Sequence, residues 1–192
     1  MSGLRRIVDF LFEAGMLKRT PRTGFQFLGH GDESVAEHIF RTACIGYVLG
    51  ALSPQVDRHR LLMMCLLHDI LEARTGDLNY VNKKYVKVDT ERAVREHTEG
   101  LPFGEELQGL LREYEAQESP EAQLAWDADQ LELLLALKEQ KDLGSPYAEE
   151  WLQYALRRLK TPLGKKLAQE ALSTDSSLWW FSQKDDWWVW GK

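Results

Sequence analysis

Cysteine is scarce in this 192-residue sequence. The two present, Cys44 and Cys65, both fall inside apolar helical patterns. They cannot form a disulfide framework and read as buried thiols of a reducing compartment. The N-terminal "MSGLRRIVDFLFEAGML" is interrupted by Asp9 and Glu13 and has no cleavage site, which argues against a signal peptide. No run reads as long and apolar enough to span a membrane, so the expected location is cytoplasmic. Positive charge is also short: the net charge of -6 speaks against non-specific nucleic-acid binding and leaves small molecules open. An anionic substrate would then need a local cation, a metal or a placed Arg. No Gly-rich phosphate loop is present, and Glu37–His38 lacks the spacing of a zinc-protease motif. Strand-period runs, internal repeats, low-complexity linkers and composition shifts are missing as well, which leaves one domain.

What the chain does have is helix punctuation. Ser34 with Glu37 three residues on is a capping box. Ser53-Pro54, Ser119-Pro120, Ser145-Pro146 and Thr161-Pro162 each offer a hydroxyl cap followed by proline at the first helical position. The spacing predicts helices over 3–18, 34–51, 54–73, 83–99, 104–117, 120–142, 146–160 and 162–172, with Gly76 and Gly144 as stops. The fold class is all-α. The last stretch, "SLWWFSQKDDWWVWGK", holds Trp179, Trp180, Trp187, Trp188 and Trp190. Such a segment is expected to pack back on the core or to meet a second copy, because exposed aromatics mark interfaces. Asp185 and Asp186 argue against a membrane role.

The chemistry concentrates in "LLHDILEARTGD", residues 66–77. An apolar run ends in His68 and Asp69, and Glu72 follows one turn later on the same face. Ionisable groups beside such a run are costly unless paired or holding a metal. Two further residues fit the second reading. His38 lies one turn into a capped helix, and Asp129 lies mid-helix among leucines, in "WDADQLELLLALKE". Taken alone, each has an ordinary alternative: a satisfied core histidine, or a surface acid with Asp127 as its neighbour. His59 and His97 sit in charged text and read as surface residues; His30 is a loop residue or part of a lid. Lys83 and Lys84 read as a solvated pair.

The order His38 … His68-Asp69 … Asp129 resembles the HD-domain metal-dependent phosphohydrolases. "LKRTPRTGF", "ESVAEHIFRTA", "LLHDILEARTGD" and "DADQLELLLALKE" resemble their 5′-deoxynucleotidase branch. The resemblance implies a helical HD bundle over 1–175 followed by an aromatic tail over 176–192. It implies that His38, His68, Asp69 and Asp129 ligate one divalent metal, with Asp127 competing for the last place and D-Q-L favouring Asp129. Mn, Co, Fe, Zn and Mg all remain open. It casts Glu72 as the acid that activates or positions the attacking water. It casts Asp77 as a helper in proton transfer, or at a second ion. Arg22, with Arg19 second to it, matches the phosphate-binding cation. The implied reaction is hydrolysis of deoxyribonucleoside 5′-monophosphates. A phosphodiesterase, a pyrophosphohydrolase or a nucleotide sensor without turnover shares the same core residues. The implied partners are a nucleotide and a second copy of the chain, with neither nucleic acid nor membrane.

Overall fold

The computed structural model describes residues 3–29, 31–181 and 187–191. His30, Asp185 and Asp186 lie outside the described residues. The elements are α1 (Gly3–Met16), α2 (Val35–Leu52), α3 (Arg58–Leu67), α4 (Glu72–Thr75), α5 (Thr90–Thr98), α6 (Gly104–Ala116), α7 (Pro120–Asp142), α8 (Ala148–Arg158), α9 (Pro162–Ser173), α10 (Leu178–Phe181) and α11 (Trp187–Trp190), with 3-10 turns at Thr23–Phe27 and Asn82–Lys84. The fold is all-α. Its extended pairing, among the described residues, is an isolated bridge between Pro21 and Ser34.

Helix α7 is the axis. It packs against α2, α3, α6, α8 and α9, and Leu124, Ala128, Leu131, Leu134 and Leu137 carry it through the main core. A helix buried on most of its sides sits in the middle of a fold. Truncating fully buried Leu134 to Ala should cost about 2–5 kcal/mol. Such burial also means that the polar residues of α7, Asp127, Gln130 and Glu132 among them, are out of water. Each then needs a partner.

Several caps form as the sequence suggests. Ser34 and Glu37 complete a capping box on α2, Ser119 caps α7 and Thr161 caps α9. Two do not. Ser53 closes α2 rather than opening the next helix, and the side chain of Asp57 accepts the Arg60 N–H to start α3. Pro146 likewise precedes a turn, and α8 begins at Ala148. The helix expected over 83–99 reduces to a 3-10 turn and the shorter α5, capped by Asp89.

The helix expected over 54–73 is broken at the chemically rich stretch. Helix α3 ends at Leu67 with His68 as its C-cap. The chain tightens through Ile70 N–H to Leu67 O, 3.0 Å, and Glu72 N–H to Asp69 O, 3.0 Å, before the single turn of α4. These i to i+3 bonds are of 3-10 type. Gly76 stops α4 at φ 70°, a left-handed value that favours glycine.

Other expectations also change. Cys65 is buried, and burial pushes its thiol up to about 12, but Cys44 is exposed on the outer face of α2 with Tyr47 and Val48. Helix α2 has the length and hydropathy of a membrane span, 18 residues at mean hydropathy 1.2. It carries buried His38 and packs on α3 and α7. His97 is fully buried rather than superficial: α1 covers it, with the Phe10 ring 5.3 Å away and Glu13 Oε2 2.7 Å from Nδ1. His59 is exposed. The tail does not bury its aromatics. Trp179 and Trp190 are 85% and 71% exposed, while Trp180, Phe181 and Trp188 pack their rings on one another.

Candidate metal centre

Three separate stretches of chain deliver four side chains to one point. His38 comes from α2, His68 and Asp69 from the break after α3, and Asp129 from the middle of α7. His38 Nε2 lies 3.3 Å from His68 Nε2, 3.5 Å from Asp69 Oδ2 and 3.2 Å from Asp129 Oδ1. His68 Nε2 lies 3.2 Å from Asp69 Oδ2 and 3.9 Å from Asp129 Oδ1. A tetrahedral ion with bonds of about 2.0–2.1 Å holds its donors roughly 3.3–3.4 Å apart. His38, His68 and Asp69 therefore fit a divalent metal in both spacing and type, and Asp129 Oδ1 lies within reach of both histidines.

Each donor is aimed by what lies behind it. His68 Nδ1 is 3.0 Å from the Cys65 carbonyl, which can only accept, so Nδ1 carries the proton and Nε2 faces the cluster. His38 Nδ1 lies 2.5 Å from Glu132 Oε2, with the same consequence. Asp129 Oδ2 accepts from the Gln130 amide at 2.8 Å and from the Tyr114 hydroxyl at 3.3 Å, leaving Oδ1 toward the histidines. At the break after α3, consecutive residues diverge by about 100° or more, yet the imidazole and the short carboxylate converge, with His68 Nε2 3.2 Å from Asp69 Oδ2.

The local charges are strongly coupled. Burial alone would raise Asp69, but His68 and His38 draw it down to about 2. Asp129 is likewise raised by burial and pulled well below the ordinary carboxylate range by the hydrogen bond and charge of His38. For His38, burial and Arg22 push downward, and the hydrogen bonds its ring donates to Asp129 and Glu132 outweigh them and lift it to about 10. Glu72 moves the other way. Burial, then the charges of Asp69 and Asp77, raise it to about 9. Its Oε2 has no hydrogen-bond partner among the described residues.

A cavity of about 230 Å³ opens onto this cluster. Its lining includes the charged Arg22, Asp69, Glu72, Asp77 and Asp129 and the apolar Phe25, Leu28, Leu133, Leu137 and Trp151. Arg22 is half-buried, with Nη1 3.7 Å from Asp69 Oδ2. Its loop is held from two sides: Arg22 N–H donates to Glu33 O at 2.8 Å, and Thr23 N–H donates to Asp77 Oδ2 at 2.7 Å. Asp77 is thus committed to anchoring the Arg22 loop through that oxygen. Arg19 is exposed and does not line the cavity. Lys83 does line it, with its ammonium over the Tyr80 ring, while Lys84 is exposed and stays outside.

Asp127 is excluded from the cluster by its own partners. It is fully buried on the other side of α7, where its carboxylate accepts Lys160 N–H at 2.7 Å, Thr161 N–H at 2.8 Å and the Thr161 hydroxyl at 2.6 Å. It anchors the start of α9.

Comparisons with known proteins identify the family. The HD-domain family model matches residues 14–171. The chain belongs to the HD-domain family. Human 5′-deoxynucleotidase HDDC2 (Homo sapiens) is 33% identical over 147 residues, 73% of this chain and 71% of that protein. Among solved structures, a conserved hypothetical protein of Pyrococcus furiosus superposes with TM-score 0.76 at 27% identity, covering 87% of this chain and 99% of its own. A structure described as a predicted metal-dependent phosphohydrolase of Magnetospirillum magnetotacticum MS-1 gives 0.70 at 25% identity, covering 90% and 92%.

Reading the HD motif alone misses Glu132, Arg41, Tyr114, Gln130, Trp151 and Arg158. One signal was visible: Glu132 is an acid set among leucines three residues after Asp129, the spacing of one helix face. Trp151 and Arg158 carried none, because α8 reaches the cavity only through its packing on α7.

Proposed function

We propose that this protein is a metal-dependent 5′-deoxynucleotidase that hydrolyses deoxyribonucleoside 5′-monophosphates to deoxynucleoside and phosphate. The observation that carries the reading is the juxtaposition of His38, His68, Asp69 and Asp129 with the half-buried Arg22 in a cavity that also has apolar lining. A phosphate suits the charged lining and a base the apolar lining. The choice of deoxyribose rests on the activity named for the HDDC2 relatives.

His38, His68, Asp69 and Asp129 would hold the divalent ion. When bound, it acidifies a water and offsets charge on the phosphoryl oxygens. The protein's own groups do the rest. Arg22 binds a pair of phosphate oxygens, a task for which its planar fork is suited and a lysine is not. Glu72 would orient the attacking water and, with a bound cation offsetting the burial and neighbouring acids that raise it, would take its proton at Oε2, the oxygen left without a partner among the described residues. Glu72 and Asp77 are the two cavity acids available to return a proton to the nucleoside 5′-oxygen. Asp77 also holds the Arg22 loop through Thr23. Phe25 and Trp151 offer the base an apolar lining.

The same reading extends to a cytoplasmic homodimer acting on a free nucleotide, without nucleic acid or membrane. The exposed aromatic tail and the exposed face of α2, Phe40, Tyr47 and Val48, are apolar surface of the kind a second copy would cover. Phosphate release from matched ribo- and deoxyribonucleoside 5′-monophosphates, each with Mn, Co, Mg and Zn, tests the activity. Release from the deoxy series alone supports it, and metal binding without release from any member refutes it.

A further inference from the structure

Glu132 stands behind the ligand set and has no part in the steps above. Its side chain is completely buried. Oε2 lies 2.5 Å from His38 Nδ1, and Oε1 receives Arg41 Nε at 3.0 Å and Nη2 at 2.8 Å. Arg41 continues outward to Glu139, 2.7 Å away. The register is repeated on two facing helices. Asp129 and Glu132 are three residues apart on α7, and His38 and Arg41 are three apart on α2. Each helix thus sends one residue to the cluster and one to a supporting layer. A buried carboxylate is costly unless every lone pair is answered. Arg41 answers one oxygen, and the other is committed to the ring of a metal-ligand candidate.

We propose that Glu132 is a positioning residue for the metal: it holds His38 as the Nδ1–H tautomer, aims Nε2 at the cation and strengthens that nitrogen as a donor, and Arg41 in turn fixes Glu132. A carboxylate behind a ligating imidazole raises its basicity, and loss of such a partner typically lowers metal affinity about 10–100-fold. Behind His68, among the described residues, Nδ1 meets a neutral carbonyl, that of Cys65. The two histidines are therefore unequal, with His38 the stronger ligand.

This inference rests on the four-ligand assignment above, and the test separates the two. Co²⁺ is titrated by chelator competition into wild type, Glu132→Gln and Asp69→Asn, with the ligand-field spectrum recorded. Glu132→Gln should bind Co²⁺ about 10–100-fold more weakly and with an altered spectrum. Wild-type affinity and spectrum in that variant would overturn the role of Glu132. Wild-type affinity in Asp69→Asn would instead overturn the ligand assignment. A purely structural ion pair is tested by Arg41→Gln/Glu132→Gln. Removing both charges should restore thermal stability but not Co²⁺ affinity, and restored affinity would reduce Glu132 to charge balance. Should the single variant fail to fold, nitrogen NMR of the Zn²⁺-loaded wild-type protein decides. The proton of His38 should sit on Nδ1 with Nε2 metallated, and the reverse arrangement would overturn the proposal.

Discussion

Asp127 and Asp129 are two residues apart on α7, yet they face opposite sides of it and meet opposite conditions. On the α9 side, Asp127 receives two backbone N–H groups and a hydroxyl, so the chain itself answers its charge. On the cavity side, Asp129 has one oxygen held by Gln130 and Tyr114 and the other turned to two histidines that present their Nε2 atoms. Glu72 on the same side has an oxygen with no partner at all among the described residues. One face of the helix is a finished hydrogen-bond network. The other is a network that a cation and a substrate would complete. Stability and function thus occupy the two faces of a single helix, and the distinguishing mark is whether the donors present match the acceptors.

The sharpest way to break this contrast is Asp129→Ala. Chelator competition should show metal affinity falling by more than the ~10–100-fold of an outer-shell loss, with phosphate release falling accordingly. Next is Glu72→Gln, which should retain the metal and lose about 10²–10⁴-fold in turnover, measured by phosphate release at saturating metal. Arg22→Lys keeps the charge but loses the fork. A rise in KM of roughly 10–100-fold is expected, the value of one charge-assisted hydrogen bond at about 1.5–3 kcal/mol.

The pH dependence of the metal-free protein follows from His38. Its folded value of about 10 lies above the ordinary 6.5, so the stabilisation it gives is full below pH 6.5 and is lost as pH rises through about 10. Glu72, raised to about 9 from 4.5, acts in the same direction between those values. The Tm of metal-free protein should therefore fall from pH 6.5 to 10, and calorimetry in buffers of different ionisation enthalpy should show proton release on metal binding. The smallest effect on activity belongs to Asp127→Asn. The amide must turn an NH₂ toward N–H donors, so stability should drop by about 1–3 kcal/mol in denaturant titrations while metal affinity stays at the wild-type level.

Much of the working face was legible before any coordinates. His68-Asp69 after an apolar run, His38 behind a capping box and Asp129 among leucines are all residues that a core tolerates poorly, so their cost marks them. The same logic failed for Asp127 and His97, which are also buried but face residues distant in sequence, Asp127 accepting from Thr161 and His97 lying against the Glu13 carboxylate. The break of the helix at His68 was hidden because it depends on a side chain taking the Cys65 carbonyl, which periodicity does not reveal. The wall formed by Trp151 and Arg158 was hidden for a similar reason: it depends on how α8 docks on α7.

The most direct test of the whole account is anomalous diffraction at the metal edge from protein loaded with Mn²⁺ or Zn²⁺. One peak, bonded at about 2.0–2.2 Å to His38 Nε2, His68 Nε2, Asp69 and Asp129, is the expected result. A peak elsewhere, or an ion held without either histidine, would contradict it.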